Sequence, residues 1–424
     1  MERFIAVSSF FLLFMNIDGF NWLLSAVGQA LLAELCADAR VSDATFLQHI
    51  TRLRKTYPVD GATAALETAI LRRAARAKFP RADALYFTRE ALEQATPQLV
   101  AAYRARPFAG CTKVADLACS IGGDALALAE FTRVLAVDRD PLRLAMLREN
   151  AHALGVSERV ELCEADLTTL DCADCDGLFF DPARRADGKR IWDVERYSPP
   201  LSTIHRWRDQ VPLRAAKVAP GIPDEQVPPD CSVEFISLDG ELREATLWWD
   251  ERQAAGIGDR ELVAEAAGWA RVATLLSTHS DAIHRIGVDP TTLPAPVESP
   301  HRYLYEPDPA VIRAHAVADL ALRLGAAQFD ADIAFLTSDV WHDTPFARVW
   351  EIELVLPFNL KALRRVLQER DVGTLTVKKR GSPITPEQLT RQLHLKGRNH
   401  QIVVLTQVAD APTVLLCREP RITG

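Results

Sequence analysis

Between residues 113 and 250, short apolar runs alternate with helix-forming stretches, and the first four runs each meet a carboxylate at their end. The runs are Lys113–Leu117 with Asp116, Val134–Asp138, Val160–Cys163 leading into Glu164-Ala-Asp166, and Gly177–Asp181. Helical spacing fits 122–131, 140–154 and 197–209 between them. A fifth strand is predicted at Ala215–Ala219. Two more, Ser232–Ser237 and Glu244–Trp249, are separated by Asp239-Gly240, a hairpin signal. Five β-α steps followed by a hairpin predict an α/β fold with a seven-stranded sheet. Open sheets of this kind bind ligands at the carboxyl ends of their strands, where Asp116, Asp138, Asp166 and Asp181 all fall.

The flanks read differently. Residues 15–105 carry helical spacing with no strand-like alternation, and 106–250 hold the sheet. Residues 251–300, with a short helical stretch and then Pro294, Pro296 and Pro300, read as a bridging segment. From 301 to 424 an α+β domain is expected: a helix at 308–325, strands Ala347–Val355 and Thr374–Lys379, a helix near 386–395, then strands Ile402–Thr406 and Thr413–Cys417. The net charge of −8 argues against a surface coated in nucleic acid, but Pro357–Gly424 carries twelve Lys/Arg against five Asp/Glu, the mark of a local polyanion site.

Arg3 and the apolar run from Phe4 to Met15 look like the start of a signal peptide, yet the run is shorter than the ~20 residues a membrane-spanning helix needs. An upstream extension before a start at Met15 is the expectation, with export or anchoring as the alternative, and the location expected is cytoplasmic. Eight scattered cysteines form no disulfide framework. Cys172 and Cys175 make a lone CxxC with no second pair or histidine partner, so no metal is implied.

The densest signal is Val114-Ala-Asp-Leu-Ala-Cys-Ser-Ile-Gly-Gly-Asp124: a strand with an acid at its end, a small-residue turn, then a helix. Small residues let the backbone approach a ligand. A dinucleotide turn would read GxGxxG to admit a pyrophosphate, and no GxG stands here. An adenosyl sulfonium fits better, because the ammonium of S-adenosylmethionine suits Asp116. Asp138, 22 residues on, is placed for the two ribose hydroxyls, with Arg139 beside it. Asp166 is placed for an adenine amino group, or equally as a helix N-cap.

Asp181 is followed by Pro182, which fixes the turn and leaves a carbonyl open. A carboxylate and a carbonyl together accept the two hydrogens of an exocyclic amine and direct its lone pair at a methyl group, which is catalysis by positioning. Arg184, Arg185, Lys189 and Arg190 then form a basic rim suited to phosphates, or to pairing with surface acids. In the last domain Lys378-Lys-Arg380 ends a strand, as a nucleic-acid contact or as charges that block edge pairing.

The segments Phe87-Thr-Arg-Glu-Ala-Leu-Glu-Gln-Ala-Thr-Pro97, DLACSIGGD, DPARR and Tyr197-Ser-Pro-Pro200 together resemble a bacterial family of class I, Rossmann-like methyltransferases with a C-terminal THUMP-like domain. More distantly, the chain is similar to the trimethylguanosine synthase group, which methylates a guanine amino group in RNA. The resemblance implies S-adenosyl-L-methionine as cofactor, with Phe87, Thr88, Thr96 and Pro97 folding over it, and RNA as partner. Two departures stand out. Glycine is usual where Ala118 and Ser120 stand, leaving Gly122 and Gly123, and Asp/Asn-Pro-Pro-aromatic is usual where Asp181-Pro-Ala-Arg184 stands. The expected activity is methylation of an RNA base amine; a protein or small-molecule acceptor, or a non-catalytic RNA-binding module, are the alternatives.

Overall fold

The computed structural model describes residues 15–167, 170–186, 189–252 and 270–420. Segment 1–14 and the short helical stretch expected after 251 lie outside the described residues or fall mostly in 253–269, which does too. The chain divides into two compact units: Met1–Gln226 with Leu247–Glu265, and Val227–Thr246 with Ala266–Gly424.

The first unit opens with helices α1 (Ile17–Leu23), α2 (Ala26–Ala37), α3 (Phe46–Leu53) and α4 (Val59–Ala75). The Asn16 and Ser25 side chains cap α1 and α2 by accepting the N–H of Gly19 and Gly28. Helix α4 runs buried through the middle because its packing positions are small: Ala62, Ala64, Ala65 and Ala69 are fully enclosed. Gly61 lets the Trp22 ring lie against the helix, where a Cβ would come within 2.3 Å of it. Among the described residues no single helix is long and apolar enough to cross a membrane. Helices α5 (Arg89–Gln94) and α6 (Gln98–Ala105) lead into the sheet.

That sheet contains β1 (Lys113–Leu117), β2 (Arg133–Asp138), β3 (Val160–Glu164), β4 (Gly177–Phe180) and β7 (Leu213–Val218), in the order β7-β4-β1-β2-β3 and all parallel. A short hairpin, β5 (Arg185–Ala186) and β6 (Lys189–Arg190), interrupts the run between β4 and β7. Helices α7 (Gly123–Leu128) and α8 (Pro141–Leu154) follow β1 and β2. Asn150 of α8 is buried and fastens two loops: its amide donates to the carbonyls of Tyr86 and Ile121, and its oxygen accepts from Tyr86 N–H at 2.7 Å. Asn150→Ala strands three buried backbone groups and is expected to cost about 3 kcal/mol of unfolding free energy, read by urea denaturation.

The α-helix expected at 197–209 is instead a 3-10 segment, Leu201–Trp207. Ser202 explains part of this, since its N–H and hydroxyl both donate to Glu195 and hold the chain in a side-chain-bonded turn.

Strand β8 (Ser232–Leu238) turns into β9 (Glu241–Asp250) through Asp239 and Gly240, both with positive φ (52° and 79°), as a two-residue hairpin requires. The predicted linker needs correction. Residues 271–287 form two strands, β10 (Arg271–Ser277), parallel to β8, and β11 (Ser280–Gly287), antiparallel to β10. Asp239 joins their turn to the first hairpin by accepting from Ser277 Oγ and from Thr278.

A separate sheet follows, in the order β13 (Ala327–Gln328), β14 (Leu336–Ser338), β12 (Tyr303–Pro307), β15 (Ala347–Pro357), β18 (Ala411–Arg418), β17 (Asn399–Val408) and β16 (Val372–Lys379). Helices Leu360–Glu369 and Pro386–Leu393 cover one face, packing Leu363, Leu367, Leu389 and Leu393 on Val403, Leu405 and Leu416. The first of these helices and β12 were not anticipated. The single helix expected at 308–325 is broken into Pro309–Arg313 and Val317–Leu324, with His315 at φ 66° between them.

Candidate active site

The carboxyl ends of β1 to β4 open into one cleft, walled on its other side by α5. Its floor is the turn after β1. Ala118 (φ 61°), Ser120 (φ 53°) and Gly122 (φ 92°) all take the left-handed conformation. The backbone demands this at Ala118 and Ser120 even though side chains disfavour it. Part of the compensation is visible: Ser120 N–H donates to Asp138 Oδ2 at 2.8 Å, and Cys119 N–H to Val137 O at 3.0 Å. Gly122 lies behind the cleft, where a Cβ would strike Leu147 Cδ1 at 2.1 Å, whereas Gly123 faces open space. Ala118→Gly and Ser120→Gly are each expected to raise stability by about 1 kcal/mol by relieving the turn, a gain of a few degrees in thermal melting.

Asp116 is the most unusual group in the cleft. It is 1% exposed, and neither carboxylate oxygen has a hydrogen-bond partner among the described residues. Burial first, then the charges of Asp124 and Asp181, push its carboxyl well above the usual range. Asp138, also buried, accepts from Ser120 through Oδ2 and from Asp140 N–H through Oδ1, so each oxygen keeps a further lone pair. Arg139 and Asp166 line the exposed rim, and among the described residues no helix begins at Asp166.

Asp181 follows β4, and its Oδ2 receives the Lys217 ammonium at 2.7 Å. Lys217 is the penultimate residue of β7 and is 3% exposed on its side chain. Burial alone would raise the Asp181 carboxyl, but Lys217 and Arg184 outweigh it and hold it below the usual range. Burial in turn lowers the Lys217 ammonium against the pull of Asp181 and Asp124. Behind this pair, Arg104 of α6 is buried, bonded to Asp124 and stacked 4.5 Å over the Phe179 ring. Pro182 is buried. Ala183, next along, exchanges both backbone hydrogen bonds with Ser198 at 3.0 Å, and these two residues and Pro199 form the remaining wall.

The resemblance residues upstream divide. Thr96 lines the cleft, whereas Phe87, Thr88 and Pro97 do not. Phe87 packs in the core against Phe79, Thr88 caps α5 by accepting from Ala91 N–H, and Pro97 caps α6. They set the position of α5, which presents Glu90, Ala91 and Gln94 to the cleft. Arg185 and Arg190 pair across the β5–β6 hairpin, and their side chains lie outside the described residues. In the second unit Lys378 binds Glu306 at 3.0 Å, Arg380 stacks on Phe335, and Lys379 alone of the three is exposed. Lys217, Arg104 and Asp124 were not picked out from sequence. A lysine inside the apolar run Leu213-Arg-Ala-Ala-Lys-Val218 was the available signal, because a buried strand carries such a charge only with a partner.

A parallel sheet with a cleft of strand-end carboxylates, and a buried acid lacking any donor, defines an S-adenosylmethionine-dependent methyltransferase of the Rossmann-like class, and the chain belongs to that family. It is 36% identical over 376 residues to an uncharacterised S-adenosylmethionine-dependent methyltransferase of Mycobacterium tuberculosis, covering 84% of this chain and 97% of the relative. The RNA cap guanine-N2 methyltransferase family model matches residues 111–211, a THUMP domain-like model 347–419, and a domain of unknown function 16–75. A crystal structure assigned as a methyltransferase of Porphyromonas gingivalis W83 superposes with TM-score 0.73 at 21% identity, covering 92% of this chain and 98% of that one, and so shares the fold.

Proposed function

We propose that the chain methylates an exocyclic amine of an RNA base. The carrying observation is Asp181, a carboxylate kept ionised at the cleft by buried Lys217, with Oδ1 making no hydrogen bond among the described residues. An ionised carboxylate only accepts hydrogen bonds, so it suits an amine with two hydrogens. The Pro182 carbonyl is the second acceptor. Asp116 holds the cofactor's ammonium, Asp138 its ribose hydroxyls and Asp166 its adenine amine. The cofactor, when bound, supplies a methyl group on a positively charged sulfur. The protein's share is orientation of the amine and exclusion of water. Two comparisons support RNA as acceptor: the match of 111–211, which contains Asp181, and the THUMP-like match. Arg184 and Lys379 are suited to phosphate contacts.

Nucleoside mass spectrometry of total RNA from a strain lacking this protein, compared with its parent, tests the reading. One methylated nucleoside is expected to vanish and to return with the wild-type gene but not with Asp181→Asn. Identical profiles would move the acceptor to protein or small molecules.

A further inference from the structure

The cations of the last domain fall into two sets. Those on or near its strands already hold acids: Lys378 binds Glu306 at 3.0 Å, Arg370 binds Glu353 at 2.8 Å, and Arg302 and Arg418 share Glu351 at 3.0 and 2.8 Å. The strand end Lys378–Arg380 therefore leaves only Lys379 exposed. The other set lies on the two helices that cover the sheet, Leu360–Glu369 and Pro386–Leu393, and on the loop after the second. Residues 360–369 and 386–398 carry six Lys/Arg against two Asp/Glu.

Packing turns these charges outward together. Leu363, Leu367, Leu389 and Leu393 bury the inner sides of the helices, so helical spacing points Lys361, Arg365 and Arg391 away from the sheet. Arg364 ties the helices to each other by donating to the Gln392 carbonyl. Gly397 N–H donates to Val372 O at 3.1 Å and Arg398 N–H to Asp371 O at 2.8 Å, which fixes the loop that carries Lys396 and Arg398. Lys379 adjoins this face, within electrostatic reach of Glu387 at the head of the second helix.

Lys361, Arg391 and Lys396 are exposed, and their side chains make no hydrogen bond or ion pair among the described residues. Arg365 and Arg398 hold Glu369 and Asp371 loosely, at 3.7 and 3.4 Å, with side chains 76% and 93% exposed. Surface pairs of that kind are worth about 1 kcal/mol or less and yield to a stronger anion. Unneutralised cations on one face repel each other, and a polyanion removes that repulsion while releasing its own counterions. Neither stretch contains Phe, Tyr or Trp, and no large apolar side chain is exposed in either. A lipid surface would call for such anchors beside the cations. Charge without stacking surface fits phosphates and leaves bases unread.

We propose that this helical face docks the phosphate backbone of the RNA through Lys361, Arg391 and Lys396, independently of base sequence. This rests on the RNA reading above, and it moves the main backbone contact from the strand end to the helices.

The test uses the full chain and fluorescence anisotropy with three labelled RNA hairpins of unrelated sequence over a series of salt concentrations, with phosphatidylglycerol vesicles as a second ligand. Wild type is expected to bind the hairpins alike, with affinity falling steeply as salt rises. Lys361→Ala/Arg391→Ala/Lys396→Ala is expected to weaken every hairpin about tenfold or more and to lower the slope of log affinity against log salt by about 3. The charge-keeping variant Lys361→Arg/Arg391→Lys/Lys396→Arg should bind like wild type. Arg52→Ala/Arg54→Ala/Lys55→Ala removes the same charge from exposed positions at the end of α3 and should alter neither affinity nor slope. All variants should melt within a few degrees of wild type, because exposed side chains carry little stability. An unchanged slope in the helix variant, or an equal loss in the α3 variant, would overturn this surface and leave the RNA reading standing. Wild type that binds no hairpin, or that binds the vesicles and ignores RNA, would overturn both.

Discussion

Asp116→Asn is expected to abolish S-adenosylmethionine binding and, at the same time, to stabilise the cofactor-free protein. The two effects share one cause. Asp116 is buried with both oxygens unpartnered, so its charge costs folding energy until a cation arrives. Removing one member of a buried charge pair in the complex costs about 3–5 kcal/mol, at least a hundredfold in Kd by isothermal calorimetry. The pH dependence has a definite sign. The folded carboxyl titrates above the unfolded one, so its contribution to stability is present below the unfolded value, near 3.8, and is lost as pH rises towards the folded value. The melting advantage of Asp116→Asn over wild type should therefore be small near pH 4 and grow as pH increases. Cofactor affinity of the wild type should increase over the same range, with proton release on binding, because the ammonium needs the ionised acid. An asparagine variant that binds the cofactor normally, or whose stability tracks wild type at every pH, would remove Asp116 from this role.

Lys217→Met should reduce turnover at least a hundredfold with cofactor affinity little changed. Lys217 touches no other described acid as closely as Asp181. Without it, burial acts on Asp181 unopposed apart from Arg184 and Arg104, and the carboxyl rises. A protonated acid is a donor where the amine needs an acceptor. The acidic limb of the pH–rate profile should accordingly move to higher pH. Breaking a buried pair also destabilises by about 3–5 kcal/mol, so Lys217→Met/Asp181→Asn serves as a control: it removes both charges, should recover much of the stability, and should remain inactive. A single variant with the wild-type pH profile would show that Lys217 only supports the fold.

How far the site could be read in advance differs by residue. Asp116, Asp138, Asp166 and Asp181 were legible because each lies within two residues of the carboxyl end of a short apolar strand, and parallel strands place all their carboxyl ends on one edge. The turn at Ala118 and Ser120 looked unfavourable by residue type. It forms nonetheless, with the Asp138 carboxylate taking the Ser120 N–H, a long-range contact that local propensity does not contain. Phe87 and Thr88 were attached to the cofactor by resemblance, yet the structure puts one in the core and the other on a helix cap. Their part is to aim α5. Strands β10 and β11 escaped notice because prolines a few residues later made the region read as a linker.

Local pattern thus determined the alternation of β1, α7, β2 and α8, the carboxylates at the sheet edge and the sign of charge along the tail, because periodicity and strand ends are properties of neighbouring residues. The tertiary structure decided which charges meet. Lys217 reaches Asp181 across 36 positions, and Arg104 reaches Asp124 from another helix. Those pairings depend on which strands lie side by side and on what burial makes costly to leave unpaired, and neither is written in any short stretch of chain.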